Sequence, residues 1–197
     1  MMLDAPAKTK LLSLDELLKL GNARVEIIDG SVVKMNAAGF IHAIVGGNIH
    51  DPLKQFVVKH NLGGVFYDGL TYLMLSDAKG LKDSFVPDIS FIRLANILPM
   101  PDMSKPYPGI PDLAVEVISP GEDADDIQTK LRTYLAKGTE QVWLVYPTTK
   151  ELHQYRRDNN PEIRIYRESQ TLDLADLFPG LELTTDQIFA VPEWALK

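Results

Sequence analysis

Between Phe40 and His60 the apolar residues recur with a helical period. Ile41, Ile44, Val45, Ile49, Leu53, Phe56 and Val57 fall on one stripe. The spacing predicts one helix over 40–60, with Gly46-Gly47 and Pro52 as its weak positions. Upstream, SLDELLKLG predicts a short helix, because Ser13 and Glu16 have capping-box spacing and Gly21 offers a stop. ARVEIIDGSVVKMN reads as two strands around Asp29-Gly30, a two-residue hairpin signal. Further strands are expected near 65–67, 71–75 and 86–93, followed by a proline-rich loop over 98–109. PDLAVEVISP places a strand at 113–118. A helix over 123–137 follows, stopped by Gly138, and then the apolar strand EQVWLVYP. ELHQYRR and EIRIYRE suggest a solvated hairpin, and the tail LDLADLFPGLELTTDQIF mixes short elements. Helix, strands, helix and strand in that order predict an α/β (α+β) core. Its mixed sheet is flanked by helices, with hairpins added at both ends. One domain over 1–197, with its core at about 40–147, suits the length.

One residue disturbs this pattern. Glu116 stands inside the apolar run Ala114-Val115-Glu116-Val117-Ile118, where an ionised carboxylate is costly unless something pairs with it. Alternation puts Asp112, Ala114 and Glu116 on one face of the strand and Leu113, Val115 and Val117 on the other, which would pack on a helix. In VPDISFI the same rule places Asp88, Ser90 and Ile92 together. Glu26 lies in the first hairpin. In the helix after Glu116, Asp126, Lys130 and Tyr134 follow at i, i+4 spacing, which lets Lys130 reach the carboxylates at the sheet edge. Two or three carboxylates with one lysine form a minimal site for phosphodiester hydrolysis. Carboxylate oxygens suit a magnesium ion that keeps several waters. Such an ion activates a water, and an ammonium orients that water or neutralises developing charge.

Composition narrows the alternatives. The 197 residues contain no cysteine, which excludes disulfides, thiolate metal sites and cysteine nucleophiles. No apolar run reaches membrane-spanning length, and MMLDAPAKTK lacks the apolar region of a signal peptide, so a cytoplasmic protein without a membrane partner is expected. The net charge of -7 argues against a broadly basic nucleic-acid surface but leaves room for local basic patches. Lys79, Lys82, Lys130, Arg132, Arg156 and Arg157 are the candidates for phosphate contact. No Walker-type loop is present, and Ser119 lacks a nucleophile-elbow context. His42 and His50 are not spaced as a zinc pair. His42 reads as an ordinary helix-surface residue or one near the active-site mouth, with the first expected; Tyr134 reads as core packing or a hydroxyl near the site, with core expected; and a core role is expected for Trp143.

RVEIIDGSVV, VPDISFI, PDLAVEVISP, a Lys…Tyr pair on a helix and then VWLVYP follow in order, and the LFPGLEL tail comes after them. This ordered set resembles the Uma family of putative restriction endonucleases, within the PD-(D/E)XK nuclease superfamily. The resemblance implies a restriction-endonuclease-like core, a DNA substrate, and a magnesium (or manganese) ion. Asp88 and Glu116 match the two acidic motif positions, the Val117 carbonyl would be a further metal ligand, and Glu26 matches the acidic residue of the N-terminal hairpin. The usual lysine lies two residues after the second acid, where this chain has Ile118, and Lys130 is the helix residue that matches a migrated lysine. Tyr146 stands where an aspartate would be expected, and a structural role is assigned to it. A homodimer is expected for duplex cleavage. The competing reading is a catalytically inactive nuclease-fold module that binds nucleic acid or a protein, motivated by Ile118 and the net charge. At single positions the plainer roles are a turn-entry Asp88, a strand-start Asp112, a Glu26 salt bridge to Arg24 or Lys34, and an exposed Asp126–Lys130 helix pair.

Overall fold

The computed structural model describes residues 11–20, 24–77, 79–158 and 163–195. Helix α1 (Leu14–Lys19) carries both halves of the Ser13–Glu16 capping box. Gly21, its expected stop, lies outside the described residues. Strands β1 (Val25–Ile28) and β2 (Ser31–Lys34) form the expected hairpin. Asp29 (φ 47°) and Gly30 (φ 79°) both take left-handed conformations, as a two-residue turn matching strand twist requires.

Helix α2 spans Phe40–His60. Its stripe of Val45, Ile49, Leu53 and Val57 is buried, and Pro52 sits inside the helix without ending it. The main sheet has six strands in the order β10 (Ile163–Tyr166), β9 (Glu151–Arg156), β8 (Gln141–Tyr146), β7 (Leu113–Val117), β6 (Ile89–Arg93) and β3 (Gly63–Tyr67). Only β7 and β8 are parallel, and α3 (Ala124–Lys137) supplies the crossover that a parallel pair needs. Asp123 caps α3, and Gly138 closes it at φ 120°.

The N-terminal hairpin does not extend this sheet. It pairs with β5 (Gly80–Phe85) and, through it, β4 (Tyr72–Asp77) to form a second sheet in the order β2-β1-β5-β4. Strand β5 was not expected, because Lys82-Asp83-Ser84 interrupts its apolar pattern. Asp83 and Ser84 are nonetheless buried, and Asp83 accepts the Asp29 N–H at 3.0 Å. The C-terminal hairpin does extend the main sheet. It is less solvated than its composition suggests, since Leu152, Gln154 and Tyr166 are buried.

Strand alternation sorts the core into two layers. Ile89, Phe91, Leu113, Val115, Val117, Trp143 and Val145 face α2 and the tail, which contributes Phe178 and Ile188 of α4 (Thr185–Ile188). Ile92, Ala114, Val142 and Leu144 face the opposite way, against Leu131 and Tyr134 of α3 and Tyr72, Met74 and Phe85 of the second sheet. Glu116 shares the parity of Ala114 and therefore enters the second layer. Among the described residues no helix is long and apolar enough to cross a membrane.

Candidate active site

Three carboxyl groups and one ammonium meet where the second sheet, α3 and the ends of β6 and β7 converge. The hairpin turn and the β1–β5 pairing carry Glu26 inward. One Glu26 oxygen, Oε1, accepts the Val86 N–H at 2.8 Å and lies 3.0 Å from Lys130 Nζ. Glu26 thus braces the backbone two residues before Asp88. Glu116 accepts from α3 at both oxygens: Lys130 Nζ donates to Oε2 at 2.9 Å, and the Tyr134 hydroxyl donates to Oε1 at 2.9 Å. The i, i+4 spacing stacks both donors on one helix stripe. Asp88 Oδ2 accepts the Val117 N–H at 2.7 Å, which ties β6 to β7. Glu26, Asp88, Glu116 and Lys130 line one cleft of about 110 Å³, together with Arg24, Lys34 and His42.

The plainer roles fare unevenly. Lys130 is turned inward to Glu26 and Glu116, with only 12% of its side chain exposed. Glu26 pairs with Lys130 and not with Arg24, which holds Asp68 at 2.5 Å. Asp112 lies at the far end of β7, where it accepts the Arg93 N–H at 2.7 Å and the Asn96 amide at 2.6 Å. It takes no part in the cleft. The Val117 side chain is in the α2 layer, and its N–H is the group facing Asp88. Tyr134 is both core and site: its ring is fully buried while its hydroxyl reaches Glu116. Trp143 is fully buried and Tyr146 packs on His153. Ile118 packs on the α3 side of the core.

His42 takes the second of its two readings, in the cleft and not on the ordinary helix surface expected of it. Its Nε2 lies 3.2 Å from Asp88 Oδ2, and its side chain is 16% exposed. A sequence signal existed: residues 42, 45, 49 and 53 share one helical face, so His42 continues the buried stripe to the sheet edge. Among the phosphate-contact candidates, Lys82 pairs with Asp29 at 3.1 Å, Arg156 with Asp173 and Asp176 at 3.0 Å each, and Lys130 is buried.

The charges are not balanced by geometry alone. Burial pushes the Glu116 carboxyl up to about 8, with Glu26 and Asp88 adding to the rise and Lys130 opposing it. Burial would lower Lys130, but Glu116 and Glu26 outweigh it and hold the ammonium above its ordinary value. Burial, then Glu116 and Glu26, raise Tyr134 well above the usual phenol range, so it stays a hydrogen-bond donor. The hydrogen bond to Asp88 raises His42 against the effect of its burial. Three carboxyl groups outnumber the one buried ammonium, and their hard oxygens suit a divalent cation. Among the described residues no three acidic or histidine side chains form a ready cage. A magnesium-type ion does not need one, since it binds through one or two carboxylates and keeps its waters. Asp88 and Glu116 supply such carboxylates to the cleft.

The mixed sheet and the crossover helix define an α+β fold that carries a carboxylate–lysine cleft. The Uma2 family, described as "Putative restriction endonuclease", matches residues 14–186, and the chain belongs to this family. Its fold is also similar to a solved structure titled as a putative nuclease belonging to DUF820 from Anabaena variabilis. The TM-score is 0.74 at 20% identity, covering 90% of this chain and 97% of that one. No curated protein matches the chain.

Proposed function

We propose that this protein is a divalent-metal-dependent endonuclease that hydrolyses DNA phosphodiester bonds. The observation that carries this reading is Lys130. Its ammonium reaches Glu116 at 2.9 Å and Glu26 at 3.0 Å from a different element than the usual motif lysine, in the cleft that holds Asp88. Asp88 and Glu116 would hold a magnesium or manganese ion, with the Val117 carbonyl and Glu26 in support. When bound, that ion would polarise the phosphoryl oxygen and acidify a water.

The chain's own groups have separable tasks. Lys130 stays protonated, so it acts as a donor: it orients the attacking water or neutralises charge on the phosphoryl oxygens. Tyr134 and Lys130 together fix the plane of the Glu116 carboxylate. Glu26 holds Lys130 and, through Val86, the strand entry that presents Asp88. Cutting both strands of a duplex would require two such centres, which a two-fold homodimer supplies.

Cleavage of supercoiled plasmid with magnesium or manganese tests the reading. Glu116→Gln and Asp88→Asn should each lower the rate by at least about a hundredfold while the chain stays folded. A native chain that cuts neither duplex nor single-stranded DNA with either ion refutes it. That result would favour the non-catalytic descendant of the fold.

A further inference from the structure

Arg24 is a cationic group lining the cleft, and its present partner explains little. Residues 24, 26 and 28 alternate onto one face of the first hairpin strand, and all three line the cleft. The Met35 N–H donates to the Arg24 carbonyl at 2.9 Å, so the ladder still holds Arg24 in register. Its Cα therefore stands one strand repeat outward from that of Glu26, about 7 Å along the chain. Its partner, Asp68, is held at 2.5 Å, and the two side chains are 47% and 36% exposed. An ion pair that open to water adds little stability. Yet Asp68 is held at a cost. Its φ is 28°, in the left-handed region, and its N–H donates to the Asp88 carbonyl at 2.8 Å. A residue whose backbone is tethered to that of Asp88 thus presents its carboxylate to an arginine at the mouth of an acidic cleft.

We propose that Arg24 is a substrate-positioning residue that grips a phosphate of the nucleic-acid strand next to the scissile one, and that Asp68 occupies it in the free protein. This rests on the nuclease reading and deepens it. A guanidinium takes phosphate oxygens through the same forked donors it offers a carboxylate. Binding exchanges Asp68 for phosphate at Arg24, with no bond made or broken. In a chain of net charge -7, a guanidinium at this rim gives the strand an anchor that the acidic cleft interior lacks.

The test rests on two variants that break the same ion pair from opposite ends. Binding of a short fluorescein-labelled DNA duplex is followed by anisotropy with calcium present, over a range of salt concentrations. Arg24→Ala should weaken binding roughly tenfold and reduce the slope of log K against log salt by about 0.9, one phosphate contact. Asp68→Asn should tighten binding, and asparagine tolerates the left-handed backbone that Asp68 adopts. In cleavage assays both changes should appear in KM and leave kcat and manganese affinity alone. A structural ion pair predicts instead that both variants lose together, or that neither changes, and either result overturns the proposal while leaving the nuclease reading intact. A native chain with no affinity for duplex DNA overturns both.

Discussion

Replacing Lys130 by methionine keeps the volume and helix propensity of the side chain and removes its charge. The structure sets the size of the effect. Lys130 bridges two carboxylates at 2.9 and 3.0 Å, and the three side chains are 12%, 12% and 6% exposed. Breaking a buried pair by deleting one partner costs about 3–5 kcal/mol, because the remaining charge is left uncompensated. Here the loss depends on pH. Glu116 titrates higher in the folded protein than in the unfolded chain, so the fold favours its protonated form. The associated stability is complete below the ordinary glutamate range and is lost as pH rises through about 8. Lys130 is the group that opposes this rise, so without it the folded value climbs further and the loss deepens. Lys130→Met should therefore cost about 1 kcal/mol near pH 6, where Glu116 is protonated with or without the lysine, and about 3 kcal/mol near pH 10, where the native Glu116 has ionised. Urea denaturation at the two pH values measures both, provided the slope against urea is unchanged. Manganese should then stabilise the variant more than the native chain, since it replaces the missing charge. A loss that is the same at both pH values, or one below about 0.5 kcal/mol at the higher pH, would refute the claim that Lys130 neutralises Glu116 and Glu26.

Other consequences are equally concrete. Tyr134→Phe removes the donor to Glu116 Oε1 but keeps the buried ring, so it should cost about 1–2 kcal/mol and slow cleavage without changing KM for DNA; unchanged denaturation and kinetics would count against the pin on Glu116. Gly63→Ala should unfold or severely destabilise the protein, because Gly63 has φ 147° and a Cβ there would stand 2.0 Å from the Ile92 carbonyl oxygen. Thermal denaturation within a degree or two of the native chain would contradict that geometry. His42→Ala should weaken manganese binding through a loosened Asp88 rather than loss of fold; calorimetry alongside a denaturation curve separates the two.

Much of this molecule is legible along the chain because its signals are local. The capping box of α1, the Asp29-Gly30 turn, the stripe of α2 and the Asp123 and Gly138 caps of α3 each depend on residues within a few positions. The parity of β7 is local too, and it is enough to separate Glu116 from the α2 layer. The candidate residues Glu26, Asp88, Glu116 and Lys130 could be chosen because carboxylates in apolar strands and a lysine on their helix face need an explanation. Strand β5 was missed because its buried Asp83 and Ser84 are tolerated only by partners in another strand.

The chain alone thus determined the elements, the face of each side chain and the chemistry on offer. Tertiary structure decided which faces meet. It placed the first hairpin in a second sheet instead of at the edge of the main one, and so delivered Glu26 and Arg24 to the cleft. It also brought His42 to Asp88 across an interface joining residues 46 positions apart, and it turned Lys130 inward where its helix neighbour Asp126 offered a nearer partner. Periodicity records the orientation of a side chain about its own element. The distance to a partner on another element is set only when the layers pack, because it depends on loop paths and sheet order that no local pattern encodes.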